Sequence, residues 1–201
     1  MKNRLFIILA VLLCISLNSV VLAKEFNDVS KDNWAYPYIE ALSEKGIING
    51  YEDGSFNPNG YVTRGEFEKL VMTSIMGEEY FEKVDSTKYA HWADKYHVEA
   101  VKHAYIGPFD LNAGLDMPLN RVKIAEMLSN IVEKNDYDIN NEKIKFSDLK
   151  NLKKAEKDSI NISVSAGLLK GYEDNTFKPI REVTRAEVST IVYRLLDIIS
   201  K

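Results

Sequence analysis

The chain contains one stretch of 21 residues twice. Gly50–Leu70 reads GYEDGSFNPNGYVTRGEFEKL, and Gly171–Ile191 reads GYEDNTFKPIREVTRAEVSTI, offset by 121 residues without a gap. The two copies are identical at ten positions. An echo of this length at a fixed offset indicates an architecture of repeated units.

An arginine precedes an amphipathic helical pattern in each copy, and a third such pattern lies between them. Apolar residues follow Arg64, Arg121 and Arg185 in the same helical phase. The three sets are Phe67, Leu70, Val71 and Ile75; Ile124, Met127, Leu128, Ile131 and Val132; and Val188, Ile191, Val192, Leu195 and Leu196. The shared phase predicts three equivalent helices.

These helices define three repeats. We expect repeat 1 at residues 24–82, a degenerate repeat 2 at 83–140 and repeat 3 at 141–201. The predicted fold is all-α, with three helix–loop–helix repeats in a pseudo-threefold arrangement around a central three-helix bundle. In that bundle Leu70, Met127 and Ile191 should be buried and close together. Because one repeat offers little apolar surface to bury, the three should fold cooperatively.

The helix that follows each arginine has a predicted N-terminal cap. Thr63 and Glu66 have the spacing of a capping box, as do Thr184 and Glu187. The arginine then stands at the first helical position, beside unpaired amides that favour an anion. Alternatively, the arginine only pairs with a neighbouring acidic side chain.

Local signals also place the preceding helix and the loop. Asp32 is the expected N-cap of the first helix, and Gly46 its left-handed terminator. Gly54, replaced by Asn175 in the second copy, is expected at positive φ in a tight turn. Phe56 and Pro58 interrupt the series of oxygen ligands that a calcium-binding loop needs, so we expect a turn and no metal site.

Repeat 2 departs from this pattern. Asn120 can still cap its helix, but Lys123 replaces the glutamate of the capping box, and residues 108–111 read PFDL in place of the Gly-Tyr-Glu-Asp loop. If the three arginines bind a ligand, Arg121 is therefore expected to contribute less to the binding than Arg64 or Arg185. The only three histidines, His91, His97 and His103, do not share a helical face, so we expect exposed or packing side chains and not metal ligands.

The N-terminus has the features of a secretory signal peptide. Residues 1–23 combine Lys2 and Arg4 with an apolar stretch that is short for a membrane span, and a small-residue cleavage site. Cys14, the only cysteine, lies within it, and Leu13 before it disfavours a lipid anchor. The mature chain is expected to be exported, free of disulfides and without a membrane span.

Charge and motifs exclude several functions. Without Lys2 and Arg4 the chain has 24 basic and 30 acidic residues, a net charge of −6 that argues against nucleic acid as a partner. The sequence has no catalytic triad, phosphate loop or metal-spaced cluster. We therefore expect neither an enzyme nor a cofactor, and an anionic ligand would need a locally positive site.

Several motifs together resemble the S-layer homology domain. They are a Phe-x-Asp start at Phe26–Asp28 and Phe146–Asp148, Trp-Ala at Trp34 and Trp92, GYEDGSFNP and VTRGEF. The resemblance covers Phe26 to about Ile199 and is weakest in repeat 2. It implies three tandem domains that attach an exported protein non-covalently to the bacterial cell wall, commonly through pyruvylated wall polysaccharide, and we expect a monomer.

The resemblance and the helix pattern suggest the same ligand-binding residues. Arginines at helix N-termini suit a pyruvate-ketal carboxylate, aromatic side chains could stack on sugar faces, and aspartates could accept from hydroxyl groups. The candidates are Arg64, Arg121 and Arg185; Trp34, Trp92, Tyr51 and Tyr172 beside Gly50 and Gly171; and Asp28 and Asp148. For Trp34, a core position is an equal alternative.

Three other functions stay open from the sequence. Peptidoglycan could be bound directly in place of the wall polysaccharide. An exposed aromatic patch could instead bind a protein of the envelope. An envelope hydrolase is the third alternative, and it is disfavoured by the missing catalytic residues.

Overall fold

The computed structural model describes residues 25–107, 114–137, 139 and 145–200. The predicted signal peptide with Cys14, and the PFDL segment of repeat 2, lie outside the described residues. The described residues form seven α-helices and one 3₁₀ turn, with no strand longer than an isolated β-bridge. The predicted all-α class is confirmed.

Six of the seven described α-helices occur in pairs that match the repeats, and α3 follows the first pair. They are α1 (Tyr36–Glu44), α2 (Arg64–Met76), α3 (Glu78–Glu82), the 3₁₀ turn (Ser86–Lys88), α4 (Asp94–Lys102), α5 (Arg121–Lys134), α6 (Lys154–Ser165) and α7 (Arg185–Ile199). Helices α2, α5 and α7 begin at the three arginines predicted for the first helical position, and we call them the Arg-led helices.

The first helix of each pair packs against the Arg-led helix of a different pair. Helix α4 packs on α2, α6 on α5, and α1 on α7, while α2 and α7 also contact each other directly. This pairing is cyclic, because the first helix of the chain packs against the last. A cyclic pairing is what the pseudo-threefold arrangement requires, and the symmetry itself stays a prediction.

A ring of three backbone hydrogen bonds joins the segments that lead into the Arg-led helices. The Val62 amide donates to the Val183 carbonyl (3.0 Å), Val183 to Leu119 (3.1 Å), and Leu119 back to Val62 (3.0 Å). All three side chains are buried. Since buried amides need partners, each repeat satisfies the backbone of another, and the repeats are interlocked at this end of the helices.

The apolar stripes form one continuous core, with one departure from expectation. Phe67, Ile124 and Val188 are almost completely buried. Met127 and Ile191 are buried too, but Leu70 is only partly buried at the core's edge. The prediction that Leu70 is buried is wrong, because its side chain faces a groove between repeats.

Two details of the first helices also differ from the sequence prediction. The N-cap of α1 is Ala35 and not Asp32, with the Asn33 side chain accepting the Ala35 amide (2.9 Å). Gly46 does terminate α1 at positive φ (69°). Ala104 takes the corresponding left-handed place after α4 (φ 56°), a conformation that costs an alanine more than a glycine.

Candidate functional site

The predicted caps of the Arg-led helices are present. Thr63 accepts the Glu66 amide (3.3 Å), and the Glu66 carboxylate accepts the Thr63 amide (2.8 Å). Thr184 and Glu187 form the same capping box, and Asn120 accepts the Lys123 amide (3.1 Å). These bonds satisfy one amide at the third helical position of each helix.

The first two amides of each Arg-led helix are also occupied. The amides of Arg64, Arg121 and Arg185 donate to backbone carbonyls of Met117 (2.9 Å), Arg181 (3.0 Å) and Gly60 (2.8 Å). The next amides, of Gly65, Val122 and Ala186, donate to Leu115, Pro179 and Pro58. The expectation that these amides bind an anion is therefore wrong, because the loop of another repeat has taken them. Any anion has to be bound by side chains.

Arg185 extends from repeat 3 onto the loop of repeat 1. Its Nε donates to the Phe56 carbonyl (2.8 Å) and its Nη2 to the Asn49 carbonyl (2.9 Å). The guanidinium carbon lies 5.2 Å from the ring centre of Tyr51 and 4.5 Å from that of Phe56. Two of the five N–H donors are used in this way, which holds the planar group in place.

Arg121 contacts the loop of repeat 3 in the same manner. It donates to the carbonyls of Phe177 (2.7 Å) and Lys170 (2.6 Å), and its guanidinium lies over the rings of Tyr172 and Phe177 (4.8 and 4.6 Å). Its side chain is almost completely buried. Burial lowers the pKa of Arg121, against the opposing effect of Tyr172 and Glu187.

Arg64 has a different partner. Its Nε bonds to Glu68, four residues along α2 (2.7 Å), and the other oxygen of Glu68 bonds to Nδ1 of the buried His97 (2.7 Å). The positions equivalent to Glu68 are Ala125 and Ser189, so Arg121 and Arg185 have no acid at this spacing. The alternative that the arginine pairs with a neighbouring acid holds for Arg64, and Nη1 of Arg121 also lies 4.0 Å from Oε1 of Glu187 in repeat 3.

Each arginine lines a groove between repeats, and the three grooves differ in size. Groove 1 contains Arg185 and has a volume of about 260 Å³. Groove 2 contains Arg121 and has about 130 Å³, and groove 3 contains Arg64 and has about 60 Å³. Arg185 thus faces the loop of repeat 1, and Arg121 faces the loop of repeat 3.

Grooves 1 and 2 are each lined by residues of all three repeats. Trp92 of repeat 2 lines groove 1, and Trp34 of repeat 1 lines groove 2. Their side chains are 51% and 59% exposed, so the core alternative for Trp34 is wrong. Tyr51 lies over Arg185 and Tyr172 over Arg121. The structure therefore brings together two sets of predicted residues, each with an arginine, a tyrosine and an exposed tryptophan.

The predicted aspartates and glycines build the loops. Asp28 accepts the amides of Phe56 and Asn57 (both 2.7 Å), and Asp148 accepts those of Phe177 (2.9 Å) and Lys178 (2.7 Å). A Cβ atom on Gly50 would collide with the Phe26 ring, and one on Gly171 with Phe146. None of these four residues lines groove 1 or groove 2. They hold the loop against the Phe-x-Asp segment.

The loop turn itself follows the prediction. Gly54 and Asn175 both have positive φ (84° and 58°). Hydrogen bonds from the Ser55 hydroxyl and amide lower the pKa of Asp53, and the Thr176 hydroxyl lowers that of Asp174. These carboxylates are turn-forming groups, and no cluster of metal-ligating side chains occurs among the described residues.

The grooves also differ in charge, which the sequence did not reveal. Lys69 joins Arg185 in groove 1, with Glu66 as the acid; among the described residues neither cation has a carboxylate within ion-pair distance. Groove 2 adds Lys170 and Arg194 to Arg121, against Glu187. In groove 3 two cations, Arg64 and Lys123, face two acids that already pair with them. Grooves 1 and 2 are thus locally positive in an acidic chain.

Histidines do not form a site. His97 is buried with its Nε2 atom unpartnered, His91 bonds to Asp116 (3.1 Å), and His103 stacks on Tyr105. They lie in different surroundings, as packing or surface residues. No helix in the described part of the chain is long and apolar enough to cross a membrane.

Comparison with known proteins identifies two segments. The model of the S-layer homology domain matches residues 25–68 and 145–189. These segments contain the two loops, the two capping boxes, and Arg64 and Arg185. Repeat 2, with Arg121, is not matched, in agreement with its degenerate loop.

Curated relatives match most of the chain at low identity. They include an amylopullulanase of Thermoanaerobacterium thermosulfurigenes (29% identity, 87% of this chain, 10% of the relative) and a surface-layer 125 kDa protein of Lysinibacillus sphaericus (31%, 83% and 15%). An uncharacterized cell wall amidase of Bacillus anthracis is 31% identical over 90% of this chain and 33% of its own length. The chain thus spans a third or less of these proteins. Residues 25–68 and 145–189 are thus the parts of the chain that are similar to the S-layer homology domain.

Proposed function

We propose that this chain is a non-covalent anchoring module that binds an acidic polysaccharide of the bacterial cell wall in grooves 1 and 2. The observation that carries the proposal is Arg185. It is held rigidly by two carbonyls and two aromatic rings, beside Lys69 and the exposed Trp92, with no carboxylate of the described chain paired to it. Surface-layer and cell wall proteins among the relatives support the same function.

The recognition chemistry follows from the donors that remain. Arg185 has N–H donors beyond the two that bind Phe56 and Asn49, and a guanidinium binds a carboxylate with two parallel hydrogen bonds. Trp92 presents an exposed ring at the same groove, suited to an apolar sugar face. A saccharide carrying a pyruvate ketal supplies both groups, so we propose it as the ligand.

Because the grooves differ, we rank the contributions of the three arginines to binding differently from the expectation based on the sequence. Arg121 was expected to matter less than Arg64 because repeat 2 is degenerate. The charge of Arg64 is paired with Glu68, and groove 3, which contains Arg64, has the smallest volume of the three grooves. We propose that groove 3 contributes least to binding.

Localisation is part of the proposal. Residues 1–23 would direct export, and the mature chain would remain at the cell surface through its grooves, as a monomer. Enzymes occur among the relatives, but the chain spans only 10 to 18% of three of them. We therefore propose binding and not hydrolysis, which predicts no release of reducing sugar from cell walls.

Two measurements test the function. Purified, protein-free sacculi should retain the mature chain, and mild acid stripping of non-peptidoglycan polymers should abolish retention. In calorimetric titration, a pyruvylated disaccharide should bind and its ketal-free counterpart should not. Retention by stripped sacculi would favour direct peptidoglycan binding, and no retention by either preparation would favour a protein partner.

A further inference from the structure

Grooves 1 and 2 differ at one loop position, which can be identified in each repeat by the same backbone hydrogen bond. The residue whose carbonyl accepts the first amide of an Arg-led helix is Gly60 in repeat 1, Met117 in repeat 2 and Arg181 in repeat 3. At this structural position repeat 1 therefore has no side chain, repeat 2 has an apolar side chain, and repeat 3 has a guanidinium group.

The Arg181 side chain joins two residues of groove 2. Its Nη1 donates to Oε1 of Glu187 (2.7 Å) and to the hydroxyl oxygen of Tyr172, which in turn donates to the same Glu187 oxygen (3.0 Å). Both Glu187 and Tyr172 line groove 2. The hydrogen-bonding groups at this side of the groove are thus bound within the chain.

The corresponding groups at groove 1 are Tyr51, which contacts Arg185, and the lining residue Glu66, and they carry no such bridge. Tyr51 is 46% exposed, and its hydroxyl has no hydrogen bond among the described residues. Glu66 uses Oε2 for its capping box, while Oε1 makes no hydrogen bond among them. The volume of groove 1 is about twice that of groove 2, 260 against 130 Å³.

We propose that Arg181 is a specificity-determining residue that closes one side of groove 2 through its bonds to Tyr172 and Glu187. Its guanidinium takes the hydrogen-bonding positions beside Tyr172 and Glu187 that groove 1 leaves for the hydroxyl groups of a saccharide. Groove 1 therefore binds the acidic saccharide more tightly than groove 2 does. This inference rests on the proposed function, since it concerns the same ligand.

The charges of the pair support a stable bridge. Burial acts to raise the pKa of Glu187, but the hydrogen bonds from Arg181 and from the Thr184 amide outweigh it, and the pKa is lowered. The same carboxylate raises the pKa of Arg181. A neutral sugar hydroxyl must displace a charge-assisted hydrogen bond to enter, which weakens binding about 10- to 100-fold.

The two tryptophans of the chain make the grooves separately observable. Trp92 lines groove 1 and Trp34 lines groove 2, and the chain has no other tryptophan. In a Trp34→Phe chain, fluorescence reports groove 1, and in a Trp92→Phe chain it reports groove 2. Titration of each mature chain with the pyruvylated disaccharide gives one dissociation constant per groove.

Reciprocal substitutions test the inference. Arg181→Gly in the groove 2 reporter should lower the dissociation constant about 10- to 100-fold, and Gly60→Arg in the groove 1 reporter should raise it by a similar factor. Arg181→Met, which introduces the residue of repeat 2, keeps bulk without charge and separates steric closure from hydrogen bonding. A Cβ atom at residue 60 would meet the Asn57 side chain, so the double substitution Asn57→Lys with Gly60→Arg, the pair found in repeat 3, replaces Gly60→Arg if that variant does not fold.

The outcomes separate this inference from the proposed function. Equal dissociation constants for the two grooves, or an Arg181→Gly chain whose Trp34 titration is unchanged, would overturn the role of Arg181 while leaving saccharide binding intact. A chain that is not retained by sacculi, and in which neither tryptophan responds, would overturn the proposed function and this inference with it. Tighter binding at groove 2 in Arg181→Gly, together with weaker binding at groove 1 in Gly60→Arg, would establish the role of Arg181.

Discussion

Arg121 should be a stabilising residue of the fold as well as a groove residue. It leaves repeat 2 at the start of α5 and binds the loop of repeat 3 through the carbonyls of Phe177 and Lys170. Its guanidinium lies over the rings of Tyr172 and Phe177, with the side chain almost completely buried. Truncation to alanine removes all of these contacts between two repeats at once.

The expected loss of stability in Arg121→Ala follows from the groups that lose their contacts with Arg121. Two carbonyl oxygens lose a charged donor, at about 1–3 kcal/mol each, and a desolvated cation–π contact is worth about 2 kcal/mol. The cost of burying the guanidinium, visible in the lowered pKa of Arg121, offsets part of this. We expect Arg121→Ala to reduce the free energy of unfolding by about 2–5 kcal/mol.

Urea denaturation followed by far-ultraviolet circular dichroism measures this change. Lys123→Ala is the matched control, since it removes an exposed cation two residues along the same helix whose pair with Glu126 is worth under about 1 kcal/mol. Arg121→Lys should restore only part of the stability, because lysine lacks the planar group and the second donor direction. A loss in Arg121→Ala no larger than in Lys123→Ala would refute the reasoning.

Three further outcomes are expected. Arg185→Ala should weaken binding of the pyruvylated disaccharide by about 2–5 kcal/mol in calorimetric titration, and Arg64→Ala by much less; equal losses would contradict the ranking of the grooves. Leu128→Ala should cost about 2–5 kcal/mol of unfolding free energy in urea, and the partly buried Leu70→Ala less. Because its native pKa is lowered from 4.5, Glu187 contributes stability that is present above about pH 4.5 and is lost as the pH falls further; the difference between wild type and Glu187→Gln in urea denaturation should shrink below that pH.

The elements set by neighbouring residues could be predicted from the sequence. The capping boxes, the start of each Arg-led helix and the left-handed conformation of Gly54 and Asn175 all follow from side chains within a few residues. Prediction from neighbouring residues failed where more than one polar side chain could cap the same helix. Asp32 was the expected cap of α1, but the Asn33 side chain accepts the first free amide, and the helix begins later.

The partners of the arginines could not be predicted, because they lie far along the chain. Arg185 binds the carbonyl of Asn49, 136 residues away, and Arg121 binds that of Lys170. A repeat pattern shows that the three arginines are equivalent, but it does not say which loop each one faces. The expectation that Arg121 contributes least to binding stays a prediction, and the arginine substitutions above test it against the proposed ranking of the grooves.

The cyclic pairing also determines which groove each tryptophan lines. Repeat 2 lacks the Gly-Tyr-Glu-Asp loop, and repeat 3 has Ala155 where the other repeats have a tryptophan. Groove 1 takes its tryptophan from repeat 2 and groove 2 from repeat 1, so the cyclic order assigns the place of Ala155 to groove 3. In groove 3 Arg64 is paired with Glu68, an acid found at this position in repeat 1 alone. Groove 3 thus combines a paired arginine with no tryptophan among its described lining residues, while grooves 1 and 2 each have an arginine and a tryptophan.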